Sequence, residues 1–140
     1  MAVARAEIGV KERTGSNDGE RVSEYLAYCA LPEGYAWCAA FVSWCYGQVG
    51  LDEPRNPWSP ALLPHSKRLG SVRDARQADV FGVYSASAGR IVHAGLVEHL
   101  AGEFLVTVEG NSNDRVERRR RHWRTVQAAA DWMSREGGLP

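Results

Sequence analysis

The chain has 140 residues, 44% hydrophobic and 24% charged, with Lys plus Arg and Asp plus Glu equal at 17 each. That is enough for one domain with its own core, expected over 1–140, and its balanced charge excludes global steering to nucleic acid or to a membrane surface. No stretch approaches the roughly 18 apolar residues of a membrane span, and three cysteines are too few for a disulfide scaffold.

Residues 3–13 read as a short helix, stopped by Gly15. Met1 to Glu7 lacks the apolar core of a secretory signal. The expectation is a chain that stays cytoplasmic until another route releases it to its site of action, or a domain cut from a longer secreted protein. Thr14 to Gly19 is a turn-rich loop, with Asn17 or Asp18 as cap of the next helix. In that helix Val22, Tyr25, Leu26 and Cys29 recur at i, i+3, i+4 and i+7, one apolar stripe. Pro32-Glu33-Gly34 ends it.

From Tyr35 to Tyr46 the only plainly polar side chain is Ser43. Length and the small pair Ala39-Ala40 favour a helix, and a helix apolar on all sides must be buried. Cys38 falls in its first turn, where the dipole and unpaired backbone N–H groups favour thiolate. Cys45 lies two turns deeper, about 10 Å along the axis, and reads as core. Cys29 reads as core too, with no disulfide indicated.

A proline-rich connection follows, with Pro54, Pro57, Pro60 and Pro64. Ser59-Pro60 looks like a cap and first residue of one helical turn, and the rest reads as loop to about Gln77. A loop this long in a small domain is usually functional or wraps a site. Strands are expected at Val80–Tyr84, Arg90–His99, Glu103–Glu109 and, facing solvent, Val116–Arg124. A closing helix is expected from Thr125 to Arg135, with Gly137-Gly138 as its stop.

Leu100-Ala101-Gly102 suggests a three-residue hairpin loop with glycine last. That register sets His99 opposite Glu103, Val97 opposite Leu105, and His93 directly opposite Glu109 on one face. A slip of one residue would separate His93 from Glu109. Asn111, two residues on, shares their face, and Gly95 leaves room for a close approach. A thiol, a histidine and a carboxylate in this order are the parts of a nucleophilic Cys–His–acid site: the imidazole deprotonates the thiol, the acid orients the imidazole, and helix N–H groups receive the oxyanion.

Three blocks carry a family resemblance: Tyr35-Ala36-Trp37-Cys38-Ala39-Ala40-Phe41-Val42-Ser43-Trp44-Cys45, Ile91-Val92-His93-Ala94-Gly95-Leu96-Val97-Glu98, and Glu109-Gly110-Asn111-Ser112-Asn113. In this order they resemble the CHAP family, cysteine, histidine-dependent amidohydrolases/peptidases of bacterial cell-wall turnover and phage lysis. The resemblance spans roughly residues 4–114. It implies a papain-like α+β fold, N-terminal helices packed on an antiparallel sheet with the nucleophile at the start of the central helix. It implies cleavage of peptidoglycan amide bonds, with peptide stems as partner and a monomer as the working form. Cys38 matches the nucleophile, His93 the base, Glu109 the acid, and Asn111 the further polar residue. Asp79 matches the family's common glycine-aspartate pair but Ala78 departs from it, as does Ala36 from a common proline, neither at the chemistry. Ser16-Asn17-Asp18-Gly19-Glu20 lacks the spacing of a calcium loop, so no metal and no other cofactor is expected.

Plainer readings stand beside these. Cys38 and His93 can be core residues. Trp37 is a core residue or a cleft wall, and Trp58 a surface residue or a substrate contact. Arg118 to Arg121 read as a solvated face, with contact to anionic wall polymers or nucleic acid the lesser reading. The rivals to a hydrolase are a non-catalytic wall-binding or interaction module and an acyl transferase using the same thiol.

Overall fold

The computed structural model describes residues 1–134. Ala2–Ala6 forms α1, Glu20–Tyr28 forms α2 and Cys38–Gln48 forms α3. α1 is shorter than the expected 3–13. Gly9, at φ +101°, turns the chain away, and its N–H donates to the Val116 carbonyl. α2 buries Val22, Tyr25 and Leu26 as its stripe requires, while Cys29 caps its end, half-buried. Its N-cap is Gly19, not Asn17 or Asp18, because the Asp18 carboxylate is engaged by the backbone N–H and hydroxyl of Thr14.

In α3 every residue from Cys38 to Tyr46 is buried. The Tyr25 ring ties α2 to it, lying 5.6 Å from Trp37, 5.1 Å from Phe41 and 5.0 Å from Trp44 between centroids. The Tyr25 hydroxyl donates to Glu7, so its one polar atom is satisfied inside the core.

The strands are β1 (Val80–Ser85), β2 (Arg90–Ala101), β3 (Phe104–Ser112), β4 (Arg115–His122) and β5 (Ala128–Ala130). They form one antiparallel sheet in the order β4-β3-β2-β1-β5. The chain is therefore α+β, with helices against an antiparallel sheet. The closing helix expected from Thr125 is absent over the described residues; Arg135 and the Gly137-Gly138 stop lie outside them. Trp123–Thr125 is a single 3-10 turn, and Ala128–Ala130 pairs with β1. Alanine favours helix locally, but the β1 edge has backbone groups that need partners. The strand also divides its methyls usefully, Ala128 and Ala130 into one core and Ala129 into the other.

The larger core lies between the helices and the sheet face of Val80, Ala94, Leu96, Val108 and Val116. The second lies on the opposite face, around Phe81, Val97, Leu105, Val126 and Ala129. Ala75, Leu69 and Val72 from the long connection cover it, so that loop closes a core as well as linking elements. Besides the turn expected at Ser59–Leu62, which Trp58 rather than Ser59 caps, it contains 3-10 turns at His65–Lys67 and Val72–Asp74.

The β2–β3 hairpin turns differently from expectation. Gly102-Glu103 is a two-residue turn with Gly102 at φ +63°, adding the pairs Leu100↔Leu105 and Ala101↔Phe104. Glu98 is then an extra residue on β2, after which Val97 faces Thr107 and Leu96 faces Val108. The next residues inward are Gly95 and Glu109, so His93 is not directly opposite Glu109 but one diagonal step from it. The bulge decides the chemistry. Without it, the turn-proximal register would set Glu109 across from Leu96, on the face away from His93. Glu98 is held there by a two-point contact from Arg118 of β4 and by Arg5 of α1, which together hold its carboxyl down at about 2.

α3 sits close to β3 at Gly110, where a Cβ would lie 2.7 Å from Phe41 Cβ and 2.9 Å from the Trp37 ring. Gly110→Ala is expected to force this seam apart and destabilise the protein by about 1–3 kcal/mol, measured as a lower urea midpoint with an unchanged slope.

Candidate active site

Cys38 is the first residue of α3, and Trp37, the N-cap residue, places no side-chain acceptor over the helix end. The β2–β3 ladder runs only as far as Leu96↔Val108. Just past that point the Ala94 backbone N–H reaches the Cys38 sulfur instead of a strand partner. On the opposite edge of β2, Val83 of β1 pairs with His93 and fixes the histidine's level.

Glu109 is fully buried. Its Oε1 lies 2.7 Å from His93 Nε2, which leaves Nδ1 of the ring for the thiol. Gly95 makes this diagonal contact feasible. A Cβ there would stand 3.0 Å from Glu109 Cγ and 2.6 Å from the Phe81 ring, so glycine opens the space the carboxylate crosses.

The carboxylate has three more donors. Arg121 of β4 grips it with a two-pronged contact, Nε to Oε2 and Nη2 to Oε1, both 2.7 Å. The Thr107 hydroxyl donates to Oε2 at 2.6 Å. Burial alone would raise the carboxyl's pKa, but Arg121 and then His93 outweigh it and hold it at about 2. Glu109 is therefore an anion at any ordinary pH.

That charge carries through to the thiol. Burial disfavours imidazolium at His93, but hydrogen bonds to Cys38 and Glu109 reverse this and raise its pKa to about 9. Burial likewise disfavours thiolate at Cys38, but the His93 hydrogen bond and charge, helped by Ser59 and the Ala94 N–H, bring it down to about 7. Between those values the pair is thiolate and imidazolium, a nucleophile beside a proton donor. The other two cysteines are opposite cases. Burial raises the pKa of Cys29. Burial and the Glu7 charge raise that of Cys45, which lines an apolar cavity of 180 Å³ with Met1, Val3, Leu96 and Met133.

The remaining sequence candidates are spread more widely. Asn111 follows Glu109 at φ +56° and makes no hydrogen bond to His93, whose Nε2 belongs to Glu109. Trp37 is fully buried, with its Nε1 donating to Glu12 at 2.8 Å, and lies in the core rather than on a cleft wall. Trp58 is 57% exposed, beside Ser59, whose hydroxyl is 3.3 Å from the Cys38 sulfur. Tyr35, three residues before Cys38 in the chain, is 53% exposed. Among the described residues no three His, Cys, Asp or Glu side chains group as a metal site, and no helix is long and apolar enough to cross a membrane.

Sequence reasoning passed over Ser59 and Arg121. Ser59 carried only a capping signal. Arg121 was hidden in a run of four arginines. Its strand alternation was visible, but its carboxylate partner depended on how β4 pairs with β3, Leu105 opposite Arg121. The chain matches no protein-family model and no curated protein.

Arg121→Ala leaves Glu109 buried without its cation and is expected to cost about 3–5 kcal/mol at pH 7 in urea unfolding. Because the Glu109 pKa is lowered on folding, its contribution is full above the unfolded carboxylate value. It fades as pH falls toward about 2. The wild-type stability loss over that acid window is expected to shrink in Glu109→Gln. Alkylation of Cys38 by iodoacetamide is expected to rise with a midpoint near pH 7, and His93→Ala is expected to move that midpoint upward.

Proposed function

We propose that the protein is a papain-like cysteine hydrolase of the CHAP kind, cleaving amide bonds in bacterial peptidoglycan. The observation that carries this reading is the continuous chain of contacts from Arg121 through Glu109 and His93 to a thiol at a helix start. A buried histidine kept only for packing needs neither a fully buried carboxylate behind it nor a thiol of lowered pKa in front. The choice of peptidoglycan rests on the resemblance of the Cys38, His93 and Glu109 blocks to that family, and the helices-on-antiparallel-sheet architecture is compatible with its fold.

In this mechanism the Cys38 thiolate attacks the carbonyl carbon of the scissile amide. The His93 imidazolium, oriented by Glu109, gives its proton to the departing amine, leaving a thioester on Cys38. His93, now neutral, takes a proton from water as the water attacks the thioester, and the thiolate leaves. Glu109 remains charged throughout. The bond cut is either the N-acetylmuramoyl-L-alanine junction or a peptide bond within the stem or cross-bridge, since both use the same groups. Trp58 and Tyr35, exposed aromatics close in sequence to Ser59 and Cys38, are the candidate walls for a peptide stem.

Cys38→Ala is expected to abolish release of soluble muropeptides from purified cell walls while the far-UV circular dichroism stays native. Mass spectrometry of the wild-type digest reads the bond from the new amino terminus. Lysis retained by Cys38→Ala, or walls left whole by the wild-type protein, would refute the reading. Products carrying an added amine would instead identify an acyl transferase.

A further inference from the structure

Ser59 is not one of the Cys–His–acid groups, yet its hydroxyl and the Cys38 sulfur are both buried and 3.3 Å apart. Its backbone is well anchored. Ser59 opens a 3-10 turn stiffened by Pro60, and Leu62 and Leu63 just beyond are buried in the main core. The Leu62 carbonyl also accepts from Trp132 Nε1 at 2.8 Å. A hydroxyl set this firmly against a sulfur needs a reason, because a small apolar residue would fill the same space without a polar group to satisfy.

Ser59 shares the sulfur with His93 and the Ala94 N–H, and the Cys38 backbone N–H opens the helix beside it. As the first residue of α3 it has no acceptor within the helix, and no side chain caps it. A side-chain hydroxyl and an uncapped helix N–H therefore lie on the residue from which the reaction starts or next to it. When a thiolate attacks a carbonyl, the carbonyl oxygen becomes an alkoxide one bond removed from the atom bound to sulfur. The Ser59 hydroxyl, 3.3 Å from the sulfur, is close enough to follow the charge from sulfur to that oxygen.

We infer that Ser59 is a catalytic residue: its hydroxyl and the Cys38 N–H together hold the oxyanion of the tetrahedral intermediate. The inference rests on Cys38 being an acyl nucleophile, and it names the group that stabilises the charge that attack creates. Before attack the Ser59 O–H donates to the thiolate. As the S–C bond forms, the C=O π pair moves onto oxygen and the hydroxyl turns to donate there. On collapse that pair re-forms C=O, the C–N bond breaks, and the amine leaves with the proton from His93. Ser59 gains and loses no proton. It is placed to favour the transition state over the bound substrate, because the oxygen carries full charge only after attack.

The rival role is that Ser59 only tunes the thiol, and the two roles separate by experiment. Alkylation by iodoacetamide needs the thiolate but forms no oxyanion, whereas acylation by p-nitrophenyl acetate needs both. In Ser59→Ala, alkylation at its high-pH plateau is expected within about two-fold of wild type, which also reports an intact site. Acylation by the ester is expected to stay well below wild type at that same pH, and amide cleavage to fall about 10²-fold in kcat. Ser59→Thr, which keeps the hydroxyl, is expected to recover part of the loss. If acylation and alkylation fall in step, or acylation recovers fully at the plateau, Ser59 only tunes the thiol and the inference is overturned. Unchanged acylation, or a wild-type protein that the ester does not acylate, overturns it too. If the wild type is acylated by the ester but leaves peptidoglycan whole, the substrate reading fails alone and Ser59 is still judged on the ester.

Discussion

The constraint on which most of this structure depends is the ionised Glu109 carboxylate inside the protein. A carboxylate with no solvent contact is tolerated only if cations and donors surround it. Here they come from three strands: Arg121 from β4, His93 from β2, and Thr107 from β3 itself. Satisfying one charge therefore fixes how β4 aligns with β3 and how β3 aligns with β2. The same charge favours the imidazolium, and the imidazolium favours the thiolate. Fold and reactivity rest on a single electrostatic chain, and the requirement that stabilises the sheet also prepares the nucleophile.

A second buried carboxylate plays a purely architectural part. Glu98 is the bulge residue, and its partners Arg5 and Arg118 tie β2 to α1 and β4. Arg118 and Arg121 lie three apart on β4 and so point to opposite faces, where Glu98 and Glu109 wait for them. Arg120 lies over the Phe104 ring between them in sequence, and Arg119 donates to Ser112. Arg118, Arg119 and Arg120 are exposed, as a solvated face requires, while Arg121 is half-buried, and each of the four guanidinium groups has a different partner. The bulge held by the first of the two carboxylates keeps His93 and the second on the same face.

The three cysteines show how surroundings rather than residue type decide reactivity. All three are free, and all feel burial, which disfavours thiolate. At Cys45 a nearby carboxylate adds to that effect. At Cys38 an imidazole, a hydroxyl and a strand N–H oppose it and prevail. Helix position alone would not have achieved this, since a wholly buried thiol at a helix start still faces the desolvation penalty.

Local pattern sufficed for the helices that carry the site, for the strands of Val80, Arg90 and Glu109, and for the order thiol, histidine, acid. Those features follow from periodicity, turn residues and chemistry within a few residues of one another. The pairing of His93 with Glu109 was legible for a partly mistaken reason. The expected register was wrong at the turn, but it lay two residues from the true one beyond the bulge, and an even slip preserves the face. Tertiary structure decided the rest. The bulge that corrects the register needed the Glu98 ion pairs to Arg5 and Arg118. The strand at Ala128 needed an open edge on β1. Ser59 reached Cys38 only after a proline-rich loop had folded back across the helix start. Arg121 became more than a surface charge only when β4 laid it against a buried anion. Each of these depends on a partner far away in sequence, and a pattern of neighbours carries no record of such partners.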